Sequence, residues 1–218
     1  MKISRYLIGL SLFLAVTLSG EMEIVAHADR SVSRYTPEEV VQPSKTLRVS
    51  ARGGHAHKIY LVFDLADLSE DALDDLENAS VSLNTRVEDY LLGEPAGLTP
   101  ISVYGLTSDI DDPTLSAITW ENAPANDANN PSLLERGKAT LLATTQVDTS
   151  TLKGDEAVVW SDERLVKMIQ KVGSDRTGSR YLTLIIVSEG MVDDAGVIFF
   201  SEKGTSLMKR EPKLVLEF

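Results

Sequence analysis

Lys58-Ile59-Tyr60-Leu61-Val62-Phe63-Asp64-Leu65 decides the fold. Ile59, Leu61, Phe63 and Leu65 fall on one side of an extended chain, and Tyr60, Val62 and Asp64 on the other. Period-two alternation over this length is the signature of a half-buried strand. Upstream, Thr46 to Val49 reads the same way, with Leu47 and Val49 on one face, and the glycine-containing turn Arg52-Gly53-Gly54-His55 joins the two. Downstream, Ala79 to Val87 alternates again, with Val81, Leu83, Thr85 and Val87 inward.

Further strands are read at Ile101 to Leu106, Ala139 to Val147, Ala157 to Trp160, Tyr181 to Val187, Gly196 to Ser201 and Lys213 to Phe218. Tyr181 to Val187 is almost continuously apolar and looks like a central strand. Ser161 to Val172 is the one helix with convincing periodicity, carried by Leu165, Val166, Met168, Ile169 and Val172, with Ser161 or Asp162 as cap. The acidic stretch Ser69 to Leu76 is compatible with a short helix capped by Ser69. A loop from Glu88 to Pro100 and a longer turn-rich stretch from Asp109 to Asn130 complete the chain. Many short strands punctuated by glycine and proline predict an all-β, antiparallel β-sandwich with one short helix.

The N-terminus reads as an export leader. Lys2 and Arg5 precede an apolar run from Tyr6 to Leu18, about 13 residues against the roughly 20 that span a bilayer. Ala26-His27-Ala28 has the small-x-small form of a cleavage site. Residues 1–28 are therefore expected to be a signal peptide, and Thr17-Leu18-Ser19 offers an earlier cut. Residues 29–43 are polar and irregular and lead into a single domain over 44–218, with no membrane span once the leader is gone. The expected location is secreted or extracellular, with the periplasm or cell surface as variants of it.

The chain has 33 acidic against 21 basic residues, a net charge of −12, and no cysteine. Such acidity argues against a nucleic-acid partner. Export without cysteine leaves stability to the core, helped at most by a bound ion. Nothing marks an enzyme: Gly-x-Ser-x-Gly and His-Glu-x-x-His are both absent, and no signature selects a pair from so many carboxylates.

Three segments carry a family resemblance. They are Ser44-Lys45-Thr46-Leu47-Arg48-Val49 with Lys58 to Leu65; Val103-Tyr104-Gly105 with Ile118-Thr119-Trp120-Glu121-Asn122-Ala123-Pro124; and Phe200-Ser201-Glu202-Lys203 with Pro212 to Leu216. Their order and spacing resemble the DNRLRE domain, also called the family 96 carbohydrate-binding module, over about Ser31 to Phe218. Thr-Trp-x-Asn-Ala-Pro is the most specific piece. The resemblance implies a jelly-roll-like sandwich of extracellular bacterial proteins, some of which bind acidic polysaccharides. This chain departs in its acidic insertion, Asp67 to Glu77, and in having no room for a partner domain.

Candidate ligand residues follow from local charge. Between Val40 and Phe63 there is no Asp or Glu, while Lys45, Arg48, Arg52, His55, His57 and Lys58 all occur. Arg48 lies between inward Leu47 and Val49, so it points to the other face, and Lys58 beside Ile59 is expected to point the same way, toward solvent. Such a face suits the carboxylates or sulfates of a uronic-acid-rich polysaccharide. His55-Ala56-His57 alternates as a metal-binding pair would, but lacks further ligands and reads better as a solvated turn. Asp109, Asp111 and Asp112 crowd one loop and are the candidates for structural calcium, although no EF-hand pattern surrounds them. Trp120 and Trp160 are read as buried rather than as sugar platforms. The function expected is a non-catalytic carbohydrate-binding module; the second reading is a structural or assembly protein contacting envelope or matrix proteins.

Overall fold

The alternating strand at residues 57–64 sits in the middle of a sheet and is covered on both sides. A computed structural model describes residues 20–86, 97–189, 196–201 and 210–218. The apolar run Tyr6 to Leu18, Val87, the loop residues 88–96, and Glu202 and Lys203 lie outside them. In chain order the strands are β1 (Glu21–Val25), β2 (Ala28–Ser33), β3 (Thr46–Ser50), β4 (His57–Asp64), β5 (Asn78–Asn84), β6 (Leu98–Leu106), β7 (Ala139–Asp148), β8 (Ala157–Ser161), β9 (Tyr181–Ser188), β10 (Gly196–Phe200) and β11 (Lys213–Glu217). The helices are α1 (Glu70–Asp74) and α2 (Glu163–Gly173).

Two antiparallel sheets pack face to face. One has the order β1-β11-β5-β8; the other runs β10-β3-β4-β9-β6-β7, with β2 also paired to β4. Leu47, Ile59, Leu61 and Phe63 of the larger sheet meet Val81, Leu83, Leu214 and Leu216 of the smaller one in the main core. Trp160 of β8 bridges the two: its indole Nε1 donates to the Ile101 carbonyl of β6 at 2.8 Å, and its ring meets Phe199 edge-on at 6.2 Å. Helix α2 closes one end. Asp162 caps it by accepting from the Arg164 N–H at 2.9 Å, and Leu165, Met168 and Ile169 are buried. Gly105 lets α2 approach β6, since a Cβ there would lie 2.9 Å from the Met168 Cε. Ser69 caps α1 by accepting from the Ala72 N–H at 3.1 Å. Among the described residues no helix is long and apolar enough to cross a membrane.

The all-β sandwich is thus as the alternation predicts, but β4 is not half-buried. Its second face, Tyr60 and Val62, joins Val32, Ile185 and Val187 in a second core. Ile110, Leu115, Ile118, Trp120, Ala123 and Ala125, from the turn-rich stretch after β6, form its roof. Every residue from Lys58 to Phe63 is in consequence buried.

The N-terminal region also differs from its irregular reading. Ala28–Ser33 is a strand in continuous register with Val62–His57 of β4. Val32 is its one large buried apolar residue, so the pattern of β2 carries little signal; pairing makes the strand. Its Asp29 is buried, accepting from Ser201 Oγ at 2.9 Å. Ahead of it, β1 pairs along its whole length with β11. Ala26-His27-Ala28 therefore connects two sheet strands, and Ala26 and Ala28 are buried. Strand β6 begins at Leu98, inside the segment read as loop.

Candidate functional site

Strands β2 and β3 both flank β4, yet the seam between them is stitched by a side chain instead of a backbone ladder. Ser31 Oγ accepts from the Arg48 N–H at 2.6 Å and donates to the Arg48 carbonyl at 3.2 Å. Above this seam lies a groove of about 520 Å³, floored by β2 and β3 and walled by residues 36–44. Arg30, Arg48 and His57 are its basic members, and Asp29 and Glu39 its acidic ones. Ser31, Ser33, Thr36, Thr46 and Gln42 supply neutral hydrogen-bonding groups.

Arg30 donates to the Asp29 carbonyl at 2.5 Å and the Thr114 carbonyl at 3.5 Å, while its buried Nε has no hydrogen-bond partner among the described residues. His57 shares a hydrogen bond with Ser50 Oγ at 3.3 Å. Burial lowers its imidazole to about 4; a hydrogen bond to the His55 backbone opposes that shift, and the Arg48 and His55 charges add to it. The ring is therefore neutral at pH 7.

Of the six candidate ligand residues, the structure brings Arg48 and His57 together in this groove. Lys45 is exposed just before β3. Arg52 and His55 are exposed on the 3-10 turn at Gly53–His55, where the His55 ring stacks on Tyr35 with centroids 5.0 Å apart. The His57 ring instead meets Ser50 Oγ.

Lys58 is a correction. It does point to the same face as Tyr60 and Val62, as alternation requires, but the roof covers that face and Lys58 is fully buried. Its ammonium donates to Asn126 Oδ1 at 2.6 Å, the Asn130 carbonyl at 3.1 Å and the Leu133 carbonyl at 2.6 Å. It lies 4.7 Å from the centre of the Trp120 ring. Burial lowers it to about 8, with Asp127 opposing and Arg34 adding to the shift. Lys58 is a clasp for the roof, not part of an exposed basic face.

The Thr-Trp-Glu-Asn-Ala-Pro element explains the clasp. The Thr119 N–H donates to Asn122 Oδ1 at 2.7 Å and the Asn122 N–H to Thr119 Oγ1 at 3.1 Å, a reciprocal pair that closes the turn. Trp120 Nε1 donates to the Ala128 carbonyl at 3.0 Å, and Tyr60 Oη to the Pro124 carbonyl at 3.1 Å. Trp120 and Trp160 are both buried, so neither offers a face to a sugar.

The three loop aspartates do not assemble a calcium site. Asp112 spends both oxygens on its own turn, accepting from the N–H and hydroxyl of Thr114 and of Ser116, and these bonds hold its carboxyl far below the usual range. Asp109 Oδ2 instead accepts from the Ser179 N–H at 3.2 Å, and Asp111 is exposed. Among the described residues no three His, Cys, Asp or Glu side chains come together as metal ligands.

Charge counting missed Arg30 because it lies in the segment read as a lead-in, outside the acid-free window. No family model matches this chain, and no curated protein matches it.

Proposed function

We propose that this protein is a secreted, non-catalytic carbohydrate-binding module of the DNRLRE type that takes an acidic polysaccharide in the groove between β2 and β3. One observation carries the reading: two arginines, Arg30 and Arg48, share a hydroxyl-rich groove on a protein whose net charge is −12. Arginine recognises carboxylate and sulfate with two parallel hydrogen bonds, and the neutral side chains around it match sugar hydroxyls. The surrounding negative charge weakens long-range attraction, so binding is modest and salt-sensitive.

Affinity electrophoresis in alginate and in a neutral glucan, at low and high salt, tests it. Retardation by alginate at low salt, lost in Arg48→Gln, is the expected result. Equal retardation by the glucan, or an unaffected folded Arg48→Gln variant, overturns it.

The assembly reading has one observation in its favour. Strand β1 ends its sheet and leaves Met22 and Val25 exposed, 41% and 44% respectively. Unpaired edges invite pairing with another chain. Sedimentation of the purified protein across a range of concentrations distinguishes a self-associating protein from a monomeric binder.

A further inference from the structure

We infer that Tyr35 is the stacking platform of this site, receiving the apolar face of a pyranose unit at the rim of the groove, so that the protein binds a uronic-acid oligomer better than a single uronate. This rests on the carbohydrate reading of the groove.

Tyr35 is 70% exposed, yet its surroundings hold it in place. Its ring lies nearly parallel to the His55 imidazole, 16° between planes. Its N–H donates to Ser33 Oγ at 3.2 Å. The preceding residue is fastened twice over: the Arg34 N–H donates to the Ala56 carbonyl at 2.9 Å, and its guanidinium reaches the Gly53 carbonyl at 3.3 Å and the Asn129 carbonyl at 3.2 Å. The end of β2, the turn before β4 and the roof thus converge on one residue. The aromatic surface they present is pre-positioned, so little ordering cost remains for binding.

Its place along the chain ties it to the groove. Ser33 and Thr36, on either side of Arg34 and Tyr35, both line that groove. With one face of the ring against His55, the high exposure belongs to the rest of the ring. A pyranose offers C–H groups on one face, matching the face of an aromatic ring. A polymer of uronic acids carries both features in every unit: the carboxylate of one residue suits Arg48, and the ring of another suits Tyr35. The two contacts are different in kind. The arginine contact weakens with salt, and the stacking contact does not.

Titration calorimetry with alginate-derived oligouronates of one to six units separates them. Wild type, Tyr35→Ala, Tyr35→Phe and Arg48→Gln are compared at low and high salt. Tyr35→Ala is expected to weaken hexamer binding about 2- to 12-fold, the range of an aromatic contact. Its salt dependence stays that of wild type, as does its binding of the single uronate. Tyr35→Phe keeps hexamer affinity, while Arg48→Gln flattens the salt dependence. Unchanged hexamer binding by Tyr35→Ala, or loss in Tyr35→Phe, overturns the platform and leaves the groove standing. Failure of wild type to bind any oligomer overturns both.

Discussion

The Lys58 ammonium stands 4.7 Å from the centre of the Trp120 ring and 2.6 Å from both Asn126 Oδ1 and the Leu133 carbonyl oxygen. No carboxylate is among these contacts. A buried cation is held by one amide oxygen, two backbone carbonyls and a π face, all from the roof. Sheet and roof are joined at this point by a polar clasp inside an otherwise apolar layer.

Removing the clasp while keeping its bulk isolates the polar contribution. Lys58→Met leaves the buried Asn126 Oδ1 and two part-buried carbonyls facing an apolar chain, and a buried acceptor left unpaired costs about 1–3 kcal/mol. The expected loss in urea unfolding lies in that range of about 1–3 kcal/mol. Amide exchange should rise most in residues 126–134 and least in β9. A variant as stable as wild type, with unchanged exchange in the roof, would show that the second core alone holds it.

The same position shows how far the sequence reading reached. Alternation around Ile59, Leu61 and Phe63 set the strand and its two faces, and the pairing of β4 with β9 agrees with it. Lys58 falls on the face of Tyr60 and Val62, as alternation requires. What alternation lacks is knowledge of a covering layer built from an irregular loop. That loop buries Leu115, Ile118 and Trp120 without any periodic spacing, so neither the second core nor the fate of Lys58 was visible. The converse holds for β2. Its residues Asp29 to Ser33 look like a solvated lead-in because their burial depends on hydrogen-bonded partners, Ser201 and the edge of β4, that sequence distance conceals. The groove inherits both blind spots: Arg48 was found from its neighbours, and Arg30 was not.

The inter-sheet core gives a second prediction. Phe63 is fully buried, on the face of β4 that meets the smaller sheet. Phe63→Ala removes its ring from that interface, and large-to-small changes of this kind cost about 3–5 kcal/mol. A loss under about 1 kcal/mol in denaturant unfolding would mean that the two sheets collapse to fill the space.

His57 makes stability depend on pH. Its folded-state value is about 4, against 6.5 ordinarily, because burial disfavours the charged ring. As pH falls from about 6.5 toward 4, the unfolded chain takes up a proton that the folded chain refuses. Stability therefore falls with pH across that window, and the loss is complete below it. Carboxylates contribute their own slope near pH 4, so the readout is a difference between proteins. His57→Gln should lose less stability than wild type between pH 7 and pH 4.5. Equal losses would show that the ring protonates freely in the fold.

The last prediction concerns the leader. A cut after Ala28 would detach β1, whose five residues pair with β11 from Glu21 opposite Glu217 to Val25 opposite Lys213. It would also remove the Ala26 N–H that donates to the Pro212 carbonyl at 3.0 Å, and the His27 N–H that donates to the Val62 carbonyl at 2.7 Å. Ile24 packs against the main core, and Glu23 receives Lys213 at 2.9 Å. These contacts favour the earlier small-residue site, Thr17-Leu18-Ser19, which leaves β1 intact. Protein recovered after export should have the intact mass of a chain beginning at Gly20. A chain made to begin at Asp29 should be less stable by about 1–2 kcal/mol, since the partly buried contact of Ile24 goes with the strand. An exported protein whose mass begins at Asp29, with stability equal to the longer form, would show that β1 is dispensable and that Ala26-His27-Ala28 is cut before the sheet closes over it.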